Sequence, residues 1–226
     1  MSRNFAEEMA AAWLHDRMTE ELRLRCDRFA VDYRVADKPA VVLQVMPVVA
    51  TTIVDVRSEP TQKALRRQGV QPRFAWWQQF ASSSGVKPVF DGIAANATRG
   101  ADGWATELHS DGHLIAGLWE FPRNGDQGSA VQAFFKHAFA DFASLTEGVY
   151  QAANVQGRLV ATCTLLNAAK LHLMAGDGWG EVSPAPRRER LEWPVAEIGS
   201  VDEMTAACEA MKARFCSAYG AFELTE

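Results

Sequence analysis

The stretch ELHSDGHLIAGLWEFP, residues 107 to 122, carries Glu107, His109, Asp111 and His113 at alternate positions. Imidazole nitrogens and carboxylate oxygens hold zinc, iron or manganese, and an imidazole beside a carboxylate moves protons near neutral pH. In one extended strand His109, Asp111 and His113 would share a face, because side chains alternate. A metal-assisted hydrolase would be built on that set together with Glu107. Asp111-Gly112 argues for a different geometry. The pair is a two-residue hairpin signal, since a type I′ turn needs positive φ at both central positions. Such a turn sets Leu108 opposite Ile115, Thr106 opposite Gly117 and Trp104 opposite Trp119 on one face. Glu107 and His109 then lie on the other face, and His113 points away from His109. The ligand set His109, Asp111 and His113 becomes the alternative, and the expected metal and cofactor content is none.

Other reactive groups form thinner patterns. Cys163 and His172 could pair as nucleophile and base through space. Thr162 and Thr164 flank the thiol, however, and no glycine-rich turn or helix start is there to activate it. Cys26, Cys163, Cys208 and Cys216 include no C-x-x-C spacing, which predicts free, buried thiols in a reducing compartment. GDGWG, residues 176 to 180, lacks the strand–glycine–helix context that cradles phosphate. A transferase pocket near Trp179 is the other enzymatic alternative. No P-loop, G-x-S-x-G, H-E-x-x-H or G-x-G-x-x-G occurs. The balance leans away from an enzyme.

The second candidate surface is residues 57–88, where three prolines, a basic cluster and an aromatic cluster follow one another without periodicity. That composition predicts a surface excursion. Arg66, Arg67 and Arg73 stand close to Trp76 and Trp77, and arginine beside aromatics is the composition of interface hot spots and stacking sites. The competing expectation is a short helix with Phe74, Trp77 and Phe80 packed on a sheet and the arginines solvated.

The elements that must position these groups follow from periodicity. Residues 4–29 predict a long amphipathic N-terminal helix, within residues 1–30, with Phe5, Met9, Ala12, Trp13, Leu22 and Phe29 on one stripe. Val41 to Val45 are too uniformly apolar for an edge and predict a central strand that Pro47 ends. GSAVQAFFKHAFADFASLTEGVYQ, residues 128–151, predicts a buried helix carrying Val131, Phe134, Phe135, Ala138, Phe139, Phe142, Leu145 and Val149, with Ser129 and Gln132 as its capping box. Leu159 to Leu165 and Leu171 to Met174 predict strands, and LEWPVAEIG an edge strand. A last helix capped by Ser200 and Glu203 buries Met204, Cys208, Met211, Phe215 and Tyr219 and stops at Gly220. The fold class expected is α+β, one domain over 1–226, with a mostly antiparallel sheet and packed helices.

Composition limits what such a domain touches. Of 226 residues, 48% are hydrophobic and 23% charged, enough to bury a core. The net charge of -5 opposes non-specific binding to DNA or to an anionic membrane. No stretch approaches the roughly 18 uninterrupted apolar residues of a membrane span. The acidic N-terminus is no signal peptide, so a cytoplasmic location is expected.

Several of these segments resemble the C-terminal region that follows Schlafen-AlbA-type DNA-binding domains in bacterial proteins. RCDRFAVDYRVADKPAVVLQVMPV, FDGIAAN, WATELHSDGHLIAG, LVATCTLLNAAKLHLM and the tail LEWPVAEIGSVDEMTAACEAMKARFCSAYG carry the likeness, from about Glu20 to Gly220. The resemblance implies a sensing, oligomerisation or partner-docking module of a regulatory or defence-type system, and it transfers no catalytic residues. In the family arrangement a nucleic-acid-binding domain precedes this region. Here the chain opens on the connecting helix, so contact with nucleic acid is expected only indirectly. Expected partners are a protein or a second copy, with a small-molecule ligand allowed and no membrane.

Overall fold

The computed structural model describes residues 3–49, 53–67, 80–82, 84–96, 103–121, 123–124, 129–174 and 182–220, with side chains of the N-terminal helix from Ala12 onward. That helix, α1 (Arg3–Asp32), is followed by β1 (Ala40–Pro47), α2 (Glu59–Leu65), β2 (Lys87–Val89), β3 (Gly92–Asn96), β4 (Trp104–His109) and β5 (Leu114–Leu118). Next come β6 (Arg123–Asn124), β7 (Ser129–Val131), α3 (Gln132–Ala152), β8 (Leu159–Leu166), β9 (Leu173–Met174), β10 (Val182–Ser183), β11 (Arg190–Glu192), β12 (Ala196–Ile198) and α4 (Met204–Ala218). The main sheet is eight-stranded in the order β11-β8-β1-β5-β4-β3-β2, with β12 also on β8, and every pairing in it is antiparallel. A smaller sheet runs β10-β9-β7-β6 and holds one parallel pair, β7 with β9. The fold is α+β with helices packed on a mostly antiparallel sheet.

β1 is central and buried along its whole length, as its valine-rich sequence requires. Alternation divides its side chains between two layers. Val41, Leu43 and Val45 join the main core with α3 and α4. Val42 faces a smaller cluster closed by Cys26, Phe29 and Ala30 of α1. The phenylalanines of α3 form the centre of the main core: Phe134, Phe135, Phe139 and Phe142 are all buried, and Phe135 and Phe139 meet Phe215 of α4 at 4.9 and 5.7 Å between ring centroids. The α4 stripe from Met204 to Tyr219 is buried as its spacing predicts, and Gly220 ends it with φ +68°. LEWPVAEIG gives two short edge strands on β8, β11 and β12, separated around Pro194.

Local expectations fail where tertiary contacts outweigh a motif. Ser129 does not cap α3: residues Ser129–Val131 are strand β7, and the helix begins at Gln132. Ser200 is extended and makes no capping bond through its side chain; Glu203 instead accepts from the Gly199 N–H at 3.0 Å, ahead of a short 3₁₀ turn, Val201–Glu203. Trp13 is 63% exposed, and the stripe α1 buries is Met18, Leu22, Cys26, Phe29 and Ala30. Phe29 sits against Gly117, where an added Cβ would lie 2.3 Å from its ring, so the glycine lets α1 approach the sheet.

The segment 57–88 is also not the surface excursion expected throughout. Ser58 caps α2, accepting from the Thr61 N–H at 3.3 Å, and Leu65 and Phe80 are fully buried. Arg67, expected on the surface as a binding or solvated residue, is 6% exposed and pairs with Asp141 of α3 at 3.0 Å. A guanidinium leaves water only when a carboxylate meets it, and Asp141 on the next layer supplies that partner. Arg66 is half-buried and donates to the Ser84 carbonyl at 3.3 Å. Arg73, Trp76 and Trp77 lie outside the described residues, as does Trp179 with the 176–180 loop. No described helix is long and apolar enough to cross a membrane.

Candidate functional site: a polar cleft under the N-terminal helix

The β4–β5 register decides where the chemistry of residues 107–113 goes. Trp104 pairs with Leu118, Thr106 with Ala116 and Leu108 with Leu114. The His109 N–H donates to the His113 carbonyl at 2.9 Å, which leaves a three-residue loop, Ser110 to Gly112. The two-residue turn expected at Asp111-Gly112 is therefore corrected by one residue, and a slip of one moves every side chain to the other face. The cause lies in the loop. Asp111 is not among the residues with positive φ, and Gly112 alone takes that region, at +85°. The Gly112 N–H donates to His109 O at 3.0 Å, and the Asp111 carboxylate accepts from the His113 N–H at 3.0 Å. A turn closed by one left-handed glycine is the usual three-residue hairpin loop.

His109 and His113 consequently share a face, the one covered by α1. Their rings stack with centroids 5.6 Å apart and planes at 26°. The His109 Nε2 lies 3.1 Å from Glu107 Oε2, and the Tyr33 hydroxyl of α1 donates to Glu107 Oε1 at 2.9 Å. His113 Nε2 lies 3.2 Å from Oε1 of Gln44, the one amide in the apolar strand β1. With Gln44 Oε1 as acceptor, Nε2 carries the proton and Nδ1 is the basic nitrogen. Nδ1 is buried with no protein partner. Arg25 of α1 donates to Asp111 at 2.5 Å and to Glu21 at 2.6 Å, and from the opposite layer Tyr150 donates to Gly112 O at 2.8 Å. The loop is thus gripped from both faces of the sheet.

Electrostatics follow from this burial. Removal from water pushes the His113 imidazole well below its ordinary value, and Arg25 and His109 push the same way while Asp111 opposes. Burial would raise the Asp111 carboxyl, but the Arg25 guanidinium and the His113 N–H together hold it below its ordinary value. Burial and then the Glu107 carboxylate push the Tyr33 phenol up. The same physics disfavours the reactive thiolate: burial pushes Cys26 up to about 11 and Cys208 up to about 12. Cys163 is buried in the main core, and burial pushes its thiol well above the ordinary value, while His172 is exposed, so that pair is not assembled.

Between α1 and the sheet end Arg25, Phe29, Glu107, His109, Asp111 and His113 line a cleft of about 90 Å³, with Arg28, Asp32, Phe90 and Asp91 at its rim. The imidazoles come together as a metal site would need, but Asp111 turns to Arg25 and to its own loop. Among the described residues no three His, Cys, Asp or Glu side chains gather as metal ligands. What the cleft offers is hydrogen bonding and charge: a Glu–His pair, whose carboxylate also accepts from the Tyr33 phenol, and a buried basic nitrogen. Sequence reasoning found Glu107, His109, Asp111 and His113 but missed Arg25, Tyr33 and Gln44. A glutamine inside AVVLQVMP was the available signal, because a polar residue in a buried strand needs a partner. No protein-family model, curated protein or solved structure matches the chain.

Proposed function

We propose that the chain is a non-enzymatic sensing module: the cleft under α1 receives a small molecule, and α1 passes occupancy to a protein partner or a second copy. The observation that carries this is the placement of Gln44, Glu107 and His113, buried polar groups on a sheet face that α1 covers, with Tyr33 of α1 bonded into the set. A ligand that binds one arrangement of those bonds more tightly shifts the population toward it, and α1 is part of that arrangement through Tyr33. The outer face of α1 supports the second half. Trp13, Leu24 and Val31 are exposed, and their spacings of 11 and 7 residues put them along one line of the helix. The resemblance to the region after Schlafen-AlbA-type domains favours the same role in a bacterial regulatory or defence-type system.

The test is a panel of small anions, cations and neutral polar compounds, read by melting temperature and by amide exchange in α1. The reading expects at least one class to raise the melting temperature and slow exchange over residues 22–30. A panel that leaves both unchanged refutes it. An acid–base enzyme is the second reading, favoured by the Glu107–His109 contact, because a carboxylate orients an imidazole as a base. Product formation lost in His109→Gln would establish it instead.

A further inference from the structure

We propose that the cleft recognises the ammonium group of a small organic amine; the inference rests on the sensing role above and names its ligand class. Acceptors dominate the lining, with four carboxylates, Asp32, Asp91, Glu107 and Asp111, against two guanidiniums, Arg25 and Arg28. Arg25 is already held by Asp111 and Glu21 at 2.5 and 2.6 Å. Glu107 is the deepest of these carboxylates, 7% exposed, and takes bonds from the Tyr33 hydroxyl and from His109. No arginine or lysine pairs with it among the described residues, although buried carboxylates ordinarily meet a cation. His113, fully buried and part of the same lining, presents Nδ1 with no partner, and a lone pair there requires an incoming N–H or O–H donor.

The rim fits the same guest. Phe90 and Asp91 form the loop between β2 and β3, and Phe90 is 86% exposed while lining the cleft. An aromatic face beside carboxylates is the chemistry that binds organic cations. An ammonium supplies donors to Glu107 and to His113 Nδ1, and the mouth at Asp32 and Asp91 holds the same sign of charge. An anion would find Arg28 alone and would face Glu107. The volume of about 90 Å³ admits a head group with a short chain. A simple alkylammonium and the ammonium of an amino acid share this chemistry, and Arg28 at the rim would distinguish them by taking the carboxylate of the latter.

The experiment titrates the full chain with ethylammonium, glycine and acetate at constant ionic strength, following histidine ring resonances and backbone amides. Ethylammonium is expected to bind saturably, moving the His113 and His109 rings. Asp91→Asn should weaken it about tenfold, because asparagine keeps the positive φ of this turn and loses only the charge. Phe90→Ala should weaken it by a similar factor, and Glu107→Gln, which retains the Tyr33 contact, should abolish it. Glycine binding tighter than ethylammonium, with the difference lost in Arg28→Gln, would support an amino-acid source; equal binding would support a simple amine. Acetate binding without ethylammonium would overturn the ligand class and leave the sensing role standing. Binding of neither would overturn the ligand class, and if the wider panel is also silent the sensing role falls with it.

Discussion

Acidification should destabilise the protein through one buried imidazole. His113 has Gln44 of β1 on Nε2, Arg25 of α1 and His109 of β4 nearby, and Asp111 as the opposing charge. Burial, Arg25 and His109 all depress its proton affinity in the folded state. The unfolded chain takes up that proton at the ordinary value of 6.5. The unfolded state therefore binds more protons below that pH, and the stability due to neutral His113 is present above 6.5 and lost as the pH falls toward the folded value. One proton of difference gives a slope of up to about 1.4 kcal/mol per pH unit across that window. Urea denaturation at stepped pH measures the slope, and His113→Gln is the reference. The difference between the two proteins isolates this residue. The Asp111 contribution is separable because its window lies below its ordinary 3.8. Curves that stay parallel through the window refute the argument, and so does a His113 ring resonance that titrates near 6.5 in folded protein.

Two further substitutions test the packing that holds the cleft. Gly117→Val places methyl groups where the Phe29 ring lies, 2.3 Å from an added Cβ, and should cost about 1–3 kcal/mol as α1 is pushed outward. Its signature is a lower urea midpoint with altered near-ultraviolet dichroism from Trp119, which sits 6.3 Å from Phe29; an unchanged midpoint contradicts the tight approach. Asp141→Leu removes the carboxylate from Arg67, both side chains under 5% exposed, and should cost about 3–5 kcal/mol. The pair Arg67→Met with Asp141→Leu should recover much of that loss in the same denaturation assay, and a double variant no better than the single one would show that the ion pair is not the cause.

The parts of this molecule legible in its sequence are those fixed by local periodicity and burial together. AVVLQVMP announces a central strand because every position is apolar save one, and MTAACEAMKARFCSAYG announces a buried stripe and its glycine stop. The hairpin was legible as a hairpin but not in register. Asp-Gly suits a two-residue turn and equally the tail of a three-residue loop, and the choice fell to the Asp111 carboxylate, which caps the His113 N–H while Arg25 holds its other oxygen. Arg25 lies 86 positions away in the chain, so no local rule weighs it. The same holds for Tyr33 on Glu107 and Asp141 on Arg67, each 74 positions apart. A basic cluster reads as surface until a distant carboxylate is known to meet it. The single-residue shift carries the functional consequence as well. With His113 on the face of α1, a helix that looked like a connector becomes the wall of a cleft, and Tyr33 and Arg25 are the two groups that bond it to the sheet residues Glu107 and Asp111. Glu107 and Asp111 are both bonded to α1, through Tyr33 and Arg25, and the sensing role proposed above relies on that placement.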